Sequence, residues 1–487
     1  MANKHLKRQG SMSEQLNRNS QENKKSEIEQ NEMPGVFNGP VVPAIIRLAV
    51  PMLLGMLVQI LYNIVDTAFI TRIDLQDPSY IGGSGIVFPV IFFAMAVASG
   101  LAIGMSSLVA RAIGEKNTAI LNKTAESGLF MAAIVSVFFV TLFYVFTDQI
   151  IGLLGAQGDY FVHAKEYLVY IIPAGAVVFI MNVFVGILQG EGLMKYVMIG
   201  MLIGTTFNII LDPVFIYLLK MGVSGAALAT TIAQAISCAY LFIIFIRGKS
   251  SIKIEFHVKN INTKVMKQIL EIGIPQTLGM MLMSISFLLF NRIIIQIDEY
   301  ALSAFTLTGR FDQIVMMPLF ALSGAIVTLI GQNAGRGLLQ RARLIWHNSI
   351  KIAILAVLVL ATLMIIAAPG VYSQFTNVPE VLEYSVLQTR LIEYTFLLAG
   401  IGILAGSVFQ GFGFSIHAMV IMILRILGFS LPSMLLFVFV FKLGIYGVWF
   451  GMMAGSLFGA ILGFFWVEST FKKLTRGELK IRTTAIA

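Results

Sequence analysis

Charge and sulfur are what this sequence has least of. Only 12% of its 487 residues are Asp, Glu, Lys or Arg, against 57% hydrophobic, and the mean hydropathy is +0.85. A water-soluble fold cannot bury that much apolar surface, so lipid has to serve as the solvent for most of the chain. The length therefore does not count soluble domains. The single cysteine, Cys238, lies in an apolar run, which excludes an intramolecular disulfide and leaves thiol catalysis without an evident partner; it reads as packing. Nothing resembles a Walker A loop, a metal-ligand cluster or a nucleophile–base pair, so ATP-driven transport and intramembrane hydrolysis have no support, and neither an enzyme nor an organic cofactor is expected. Residues 1–43 lack the apolar core of a signal peptide and are rich in Asn, Gln, Lys, Glu and Ser, which reads as a disordered cytoplasmic tail.

What is present is a succession of apolar stretches. Crossing a bilayer takes about 20 apolar residues in a helix, and such runs lie at roughly 44–70, 82–108, 124–147, 166–188, 196–219, 225–246, 268–297, 303–331, 348–368, 386–411, 418–441 and 444–467. With the N-terminus inside, Lys and Arg gather in the tail (Lys4, Lys7, Arg8, Arg18, Lys24, Lys25), at Arg111, Lys116 and Lys123, in 247–267, at Arg336, Arg341 and Arg343, and after 467. Asp74, Asp77, Asp148, Asp159, Asp298, Glu299, Glu380 and Glu383 fall outside. That bias puts both termini in the cytoplasm of a multi-pass protein of the cell membrane. The net charge of +9 is therefore topology and not a nucleic-acid footprint.

The chain also repeats itself. Ala49-Val50-Pro51 with Gly55-Met56 returns as Gly273-Ile274-Pro275 with Gly279-Met280. Gly114 returns as Gly335, Gln189-Gly190-Glu191-Gly192 as Gln410-Gly411-Phe412-Gly413, and Gly222-Val223-Ser224-Gly225 as Gly444-Ile445-Tyr446-Gly447, so that all four landmarks recur at nearly one shift along the chain. Six spans per half is an even number, so the second half re-enters in the same orientation. The expected fold is all-α, with twelve transmembrane helices in two parallel six-helix repeats that form two lobes around a central cleft. The lobes are expected at 44–246 and 268–467, joined by a basic cytoplasmic linker at 247–267 and followed by a basic tail at 468–487.

Ionisable groups in hydrocarbon are expensive enough that function is their default reading. Asp66 follows Tyr62 by four positions in the first span and Asp212 follows Asn208 by four in the fifth, a spacing that puts each pair on one helix face. Both aspartates fall in the outer half of the membrane. Facing each other, they would bind a proton or Na⁺; the structural alternative is that Asp212 caps a kink at Pro213 and Asp66 marks a helix end. Pro51 bends the first span, as a hinge or as a fixed kink. The second lobe carries Arg292, Arg310, Asp312, Arg390, Glu393 and Arg425. Asp312, near the midplane, is read either as an ion pair with a neighbouring arginine or as a substrate contact with Arg310 and Glu393, while Arg390 and Glu393 lie near enough to the outer end to face water.

Taken together, the doubled six-span pattern, Pro51…Tyr62…Asp66, Asn208…Asp212-Pro213 and the paired Gln-Gly-x-Gly segments resemble the MATE family of multidrug and toxin extrusion transporters, over about residues 40–467. Within it the chain is similar to the prokaryotic DinF-like branch. That resemblance implies a cation site in the N-terminal lobe at Tyr62, Asp66, Tyr167, Asn182, Asn208, Asp212 and Thr230, with Asn182 at its periphery and Na⁺ accommodated by Asp66, Asn208, Asp212 and Thr230. It implies a monomer that exchanges lipophilic cationic drugs for protons or Na⁺ through the inter-lobe cleft, in contact with membrane lipid. The seventh span lacks the interior carboxylate that the NorM-like branch carries, which favours coupling through the N-terminal lobe alone. The alternative is a flippase for an amphipathic lipid-linked or oligosaccharide precursor; a non-transporting membrane receptor is disfavoured by the duplicated design and the buried carboxylates.

Overall fold

In the computed structural model of the protein, residues 35–73, 79–254, 260–482 and 484 are described. Most of the expected disordered tail, residues 1–34, lies outside them, as do Asp74 and Asp77. Among the described residues twelve helices are long and apolar enough to cross a membrane: α1 Val41–Thr71, α2 Phe88–Gly114, α3 Thr118–Val145, α4 Asp159–Glu191, α5 Met194–Leu218, α6 Gly222–Ile246, α7 Thr263–Ile294, α8 Glu299–Gly335, α9 Leu339–Tyr372, α10 Thr395–Phe412, α11 Ser415–Val440 and α12 Ile445–Thr475. Lipid offers no hydrogen bonds, so each span must satisfy its backbone internally, and the helix does so. Side chains close two of the helix starts: Asn262 accepts from the amides of Lys264 and Val265 at α7, and Asp298 accepts from that of Tyr300 at α8. Short connections alternate the helices, which leaves both described chain ends on one face, here the terminal face, opposite a far face.

Two spans differ from the hydropathy reading. The stretch expected at 82–108 is a short helix, Ser79–Ile86, followed by α2, which runs on to Gly114. Pro89 in the first turn of α2 sets that boundary, because it gives up an amide that has no helical partner there anyway. The stretch expected at 386–411 is broken at Glu393 and Tyr394 into Pro379–Ile392 and α10. The apolar run continues on both sides of the break, so hydropathy does not register it. α1 continues as helix through Pro51.

The duplication extends into the backbone. Pro213 cannot donate to the helical ladder, and directly after it the helix widens into a π turn, Val214–Leu218; the second half has its own π turn at the matching place, Leu436–Val440. Lys220 and Lys442 follow at φ 55° and 53°, then Gly222 and Gly444 at 57° and 57°. A left-handed lysine is an uncommon and costly conformation, so its recurrence at the repeat shift marks a copied turn. The Gln-Gly-x-Gly segments are also alike, closing α4 and α10 with left-handed Gly192 and Gly413.

The two lobes meet about a pseudo-two-fold axis. The Ser107 hydroxyl of α2 donates to the Gln410 carbonyl of α10, and the Thr328 hydroxyl of α8 donates to the Gln189 carbonyl of α4 at 2.7 Å. Thr328 stands to Ser107 in the repeat as Gln410 stands to Gln189, so these are one contact made twice. On the axis Gly114 faces its own counterpart: a Cβ on Gly114 would lie 2.9 Å from the Gly335 Cα and would run into the Gln332 carbonyl oxygen. Further up, Gly100 packs on Gly273 and Thr277 donates to the Ala96 carbonyl at 3.2 Å.

Buried apolar residues divide accordingly. One core runs through the N-terminal lobe and the terminal half of the C-terminal lobe. A second is confined to the far half of the C-terminal lobe, with Phe290, Ile294, Phe305, Met434, Val448 and Trp449. The lobes are thus fused at the terminal face and separate towards the far face, which leaves the central cleft open on that side. Gly114→Val should wedge the fused end apart and lower stability by about 1–3 kcal/mol, whereas Gly370→Ala, where an added Cβ meets nothing within 4 Å, should be nearly silent. Thermal unfolding in detergent checks the pair; equal effects would contradict the crossing described.

Candidate cation and substrate site

The far half of the N-terminal lobe concentrates polar groups where α1, α4, α5 and α6 converge. Asp66 lies in the last turn and a half of α1, about 8 Å from its end along the axis. Asp212 comes just before the π turn of α5 and is fully buried; Asn208, one turn earlier, is 2% exposed. Thr230 of α6 ties the group together. Its hydroxyl is 3.3 Å from that of Tyr62. With its amide oriented to satisfy its neighbours, Asn208 donates to Asp212 Oδ2 at 3.0 Å and accepts from the Thr230 amide and hydroxyl at 3.2 Å. Tyr167 of α4, buried, stands within electrostatic reach of Asp66, Tyr62 and Asp212.

The carboxyls of Asp66 and Asp212 lie side by side. Among the described residues no basic side chain pairs with either, and Asp66 Oδ1 and Asp212 Oδ1 have no hydrogen-bond partner. Two carboxylates this close in a low-dielectric setting cannot both stay charged without a proton or a cation between them. The orphaned oxygens, with the Thr230 hydroxyl beside them, form an oxygen-only donor set of the type that hard cations prefer, and the same oxygens accept a proton equally well.

Of the seven residues singled out in the sequence, six gather here. Asn182 does not join them: its side chain donates to the Val178 carbonyl of its own helix at 2.9 Å, and about four turns of α4, or about 22 Å, separate it from Tyr167. Tyr217 was not foreseen. From the π turn it donates to the Phe69 carbonyl at 2.7 Å, fastening the end of α5 to the end of α1 beyond the aspartates. It has no marker in the sequence, since only the widened turn after Pro213 aims it there.

The C-terminal lobe corrects two expectations. Asp312 makes no ion pair with an arginine among the described residues, and Arg310 is exposed. Its partner is the carboxyl of Glu393. Glu393 does not face water either; it is 1% exposed, at the break before α10, with neither carboxyl oxygen engaged by a hydrogen-bond donor. Arg390 is exposed, as expected. Around the pair, Gln388 donates to the Thr308 hydroxyl at 2.5 Å and accepts from Trp449 Nε1 at 3.2 Å, and the hydroxyls of Tyr372 and Thr389 are 2.8 Å apart. Each lobe therefore has one acid pair, on non-equivalent helices: the repeat matches Asp312 and Glu393 to Ile91 and Ile172, and Asp212 to Met434.

A sequence profile of the family described as MatE matches residues 51–214 and 275–436, one match in each repeat. The chain belongs to the MatE family. Among its curated relatives, the multidrug export protein MepA of Staphylococcus haemolyticus (strain JCSC1435) is 26% identical over 441 residues, covering 89% of this chain and 95% of that one. A probable multidrug resistance protein NorM of Thermotoga maritima is 27% identical over 447 residues, covering 90% and 95%. Among solved structures, one described as the outward-facing conformation of a multidrug resistance MATE family transporter is 28% identical, with a TM-score of 0.86 over 91% of this chain and 98% of that one. Structures described as MATE in the straight and the bent conformation match as well, with TM-scores of 0.86 and 0.85.

In this MatE protein an acid pair without a base should be stabilised by what neutralises it. Exchanging KCl for NaCl at constant ionic strength, or lowering the pH from 8 to 6, should raise the midpoint of thermal unfolding. At a cation concentration about 100 times its Kd the gain is about 2.7 kcal/mol. Asp212→Asn should abolish the Na⁺ response and reduce the acid response, which the Asp312–Glu393 pair also feeds, while keeping the fold; an undiminished Na⁺ response in that variant would place the cation elsewhere.

Proposed function

We propose that the protein is a multidrug exporter that expels lipophilic cationic compounds in exchange for protons or Na⁺, acting as a monomer in the cell membrane with both termini in the cytoplasm. The observation that carries this reading is the Asp66–Asp212 pair, with Asp212 buried and Asp66 half-buried beside Thr230 and Asn208 and with no described basic partner. The names of the curated relatives support the drug-export part, and the distribution of Lys and Arg supports the topology. A cation arriving through the far-face opening neutralises the pair. Neutral, the outer ends of α1 and α5 no longer repel, and the N-terminal lobe favours a different packing of those helices. Coupling follows when the drug and the cation favour different states of the lobes. Asp312 and Glu393, in the other lobe, provide counter-charge for a cationic substrate.

One observation favours a second reading, export of an amphipathic precursor with an anionic headgroup. Arg425 lies within α11 with its aliphatic stem against Gly459, and among the described residues it has no acidic partner. Export of ethidium from everted vesicles under separately imposed proton and sodium gradients decides between them. Wild-type efflux should follow one gradient and fall at least tenfold in Asp66→Asn and in Asp212→Asn, with both variants present in the membrane. If the wild type moves no cationic dye under either gradient, the drug-export reading is wrong and the precursor reading takes its place.

A further inference from the structure

At the terminal face each lobe holds the other lobe's chain end. The segment before α1 belongs by connection to the N-terminal lobe but lies on the C-terminal one. Arg341 of α9 donates to four of its carbonyls, those of Gly35 at 2.6 Å, Val36 at 2.8 Å, Asn38 at 3.4 Å and Gly39 at 2.8 Å. Asn333 of α8 donates to the Val36 carbonyl at 3.2 Å, and the guanidinium of Arg336 stands 3.4 Å from the centre of the Phe37 ring. The segment after α12 makes the reverse crossing. The carbonyl of Arg482 accepts from Arg111 of α2 at 2.6 Å. The Thr484 amide donates to both Glu115 carboxylate oxygens at 3.2 and 3.1 Å, its hydroxyl donates to Glu115 as well, and Asn117 donates to that hydroxyl at 3.3 Å.

The exchange follows the pseudo-two-fold axis. Glu115 and Arg336 are equivalent positions of the repeat, each directly after one of the matched glycines, so the two positions that grip the crossing segments are copies of one another that have diverged in charge. Both flank Gly114 and Gly335, the point where the lobes touch most closely. Neither segment can stay bound if α2 and α8 separate there, because each is continuous with one lobe and hydrogen-bonded to the other.

We propose that the two exchanged segments, residues 35–40 and residues 479–482 with Thr484, form the latch of the terminal-face gate, and that opening the cleft towards this face requires their release. This deepens the transporter reading and rests on it. Their grip suits a latch. Beside the buried Val36 and Phe37 side chains, it consists of hydrogen bonds between charged side chains and backbone, which are strong yet replaceable by water. Arg111 is fully buried, with Nη2 already lacking a partner. Losing the Arg482 carbonyl would leave that charge further unsatisfied in a dry interior unless water enters. Release of the segment and hydration of the gate are therefore one event.

The test uses the full chain with a reporter cysteine at Ser107, fully buried at the inter-lobe joint, and retains Cys238 of α6 as an internal reference. Labelling by a hydrophilic maleimide is followed at both sites by mass spectrometry, without substrate or gradient, so that it reads the gate whether or not any dye is exported. Arg341→Ala and Glu115→Ala should each speed labelling at 107 by about tenfold, the ratio that corresponds to about 1.4 kcal/mol, and together by more, with Cys238 unchanged. An unchanged rate at 107 in the double variant overturns the latch. So does equal acceleration at Cys238, which would mean that the substitutions loosen the whole fold.

Discussion

A carboxylate inside a bilayer has to be neutralised, and the arrangement of this molecule turns on how it meets that requirement. A nearby arginine would have made Asp66 and Asp212 a permanent structural ion pair. None is supplied among the described residues, and the aspartates face each other instead, next to hydroxyl and amide groups that hold them in place. The neutralising charge must then come from solution and can leave again. Their position, close to the far face on which the cleft opens, makes that exchange physically accessible.

Neutralising two side chains has a large consequence only if the lobes can respond as units. Fusion at the terminal face through small residues, with the Ser107–Gln410 and Thr328–Gln189 hydrogen bonds repeated about an axis, gives a rigid joint of limited extent. Beyond it the C-terminal lobe keeps a core of its own. Two bodies joined at one end and separately packed at the other can rock about the joint, which is the geometry that parallel repeats provide for alternating access. The exchanged chain ends lie at the same joint, so the element that resists rocking and the element that defines its axis coincide.

Much of this was legible in the sequence, for definable reasons. Spans are read from composition because lipid admits few alternatives to the helix, and the repeat was readable because its landmarks are glycines and prolines, whose backbone demands were copied with the fold. The clustering of Tyr62, Asp66, Asn208 and Asp212 was legible because each pair sits one turn apart on a single helix, whereas Tyr167 and Thr230 were reached only through the family resemblance. The Asp312–Glu393 pair was not. Its members are far apart in the chain, with all of α9 between them, and the break that buries Glu393 falls inside a continuous apolar run. Asn182 is the reverse case: the residue type matched the family pattern, but the rise along α4 places it too far down to reach the aspartates. Tyr217 depends on a π turn, and the exchanged segments depend on tertiary contacts that no periodicity encodes.

On this mechanism the charge state of Asp66 and Asp212 sets the far-face separation of the lobes. This is tested most directly by electron–electron spin distance measurements in a Cys238→Ser background, with labels at Leu153 and Phe375, exposed far-face positions of the two lobes at 87% and 64%. Neutralising the pair with acid or Na⁺ should shift the wild-type distribution towards shorter distances, and the Asp66→Asn, Asp212→Asn double variant should already be shifted and no longer respond. A distribution that ignores acid and Na⁺ in the wild type, or that responds identically in the double variant, would contradict the account.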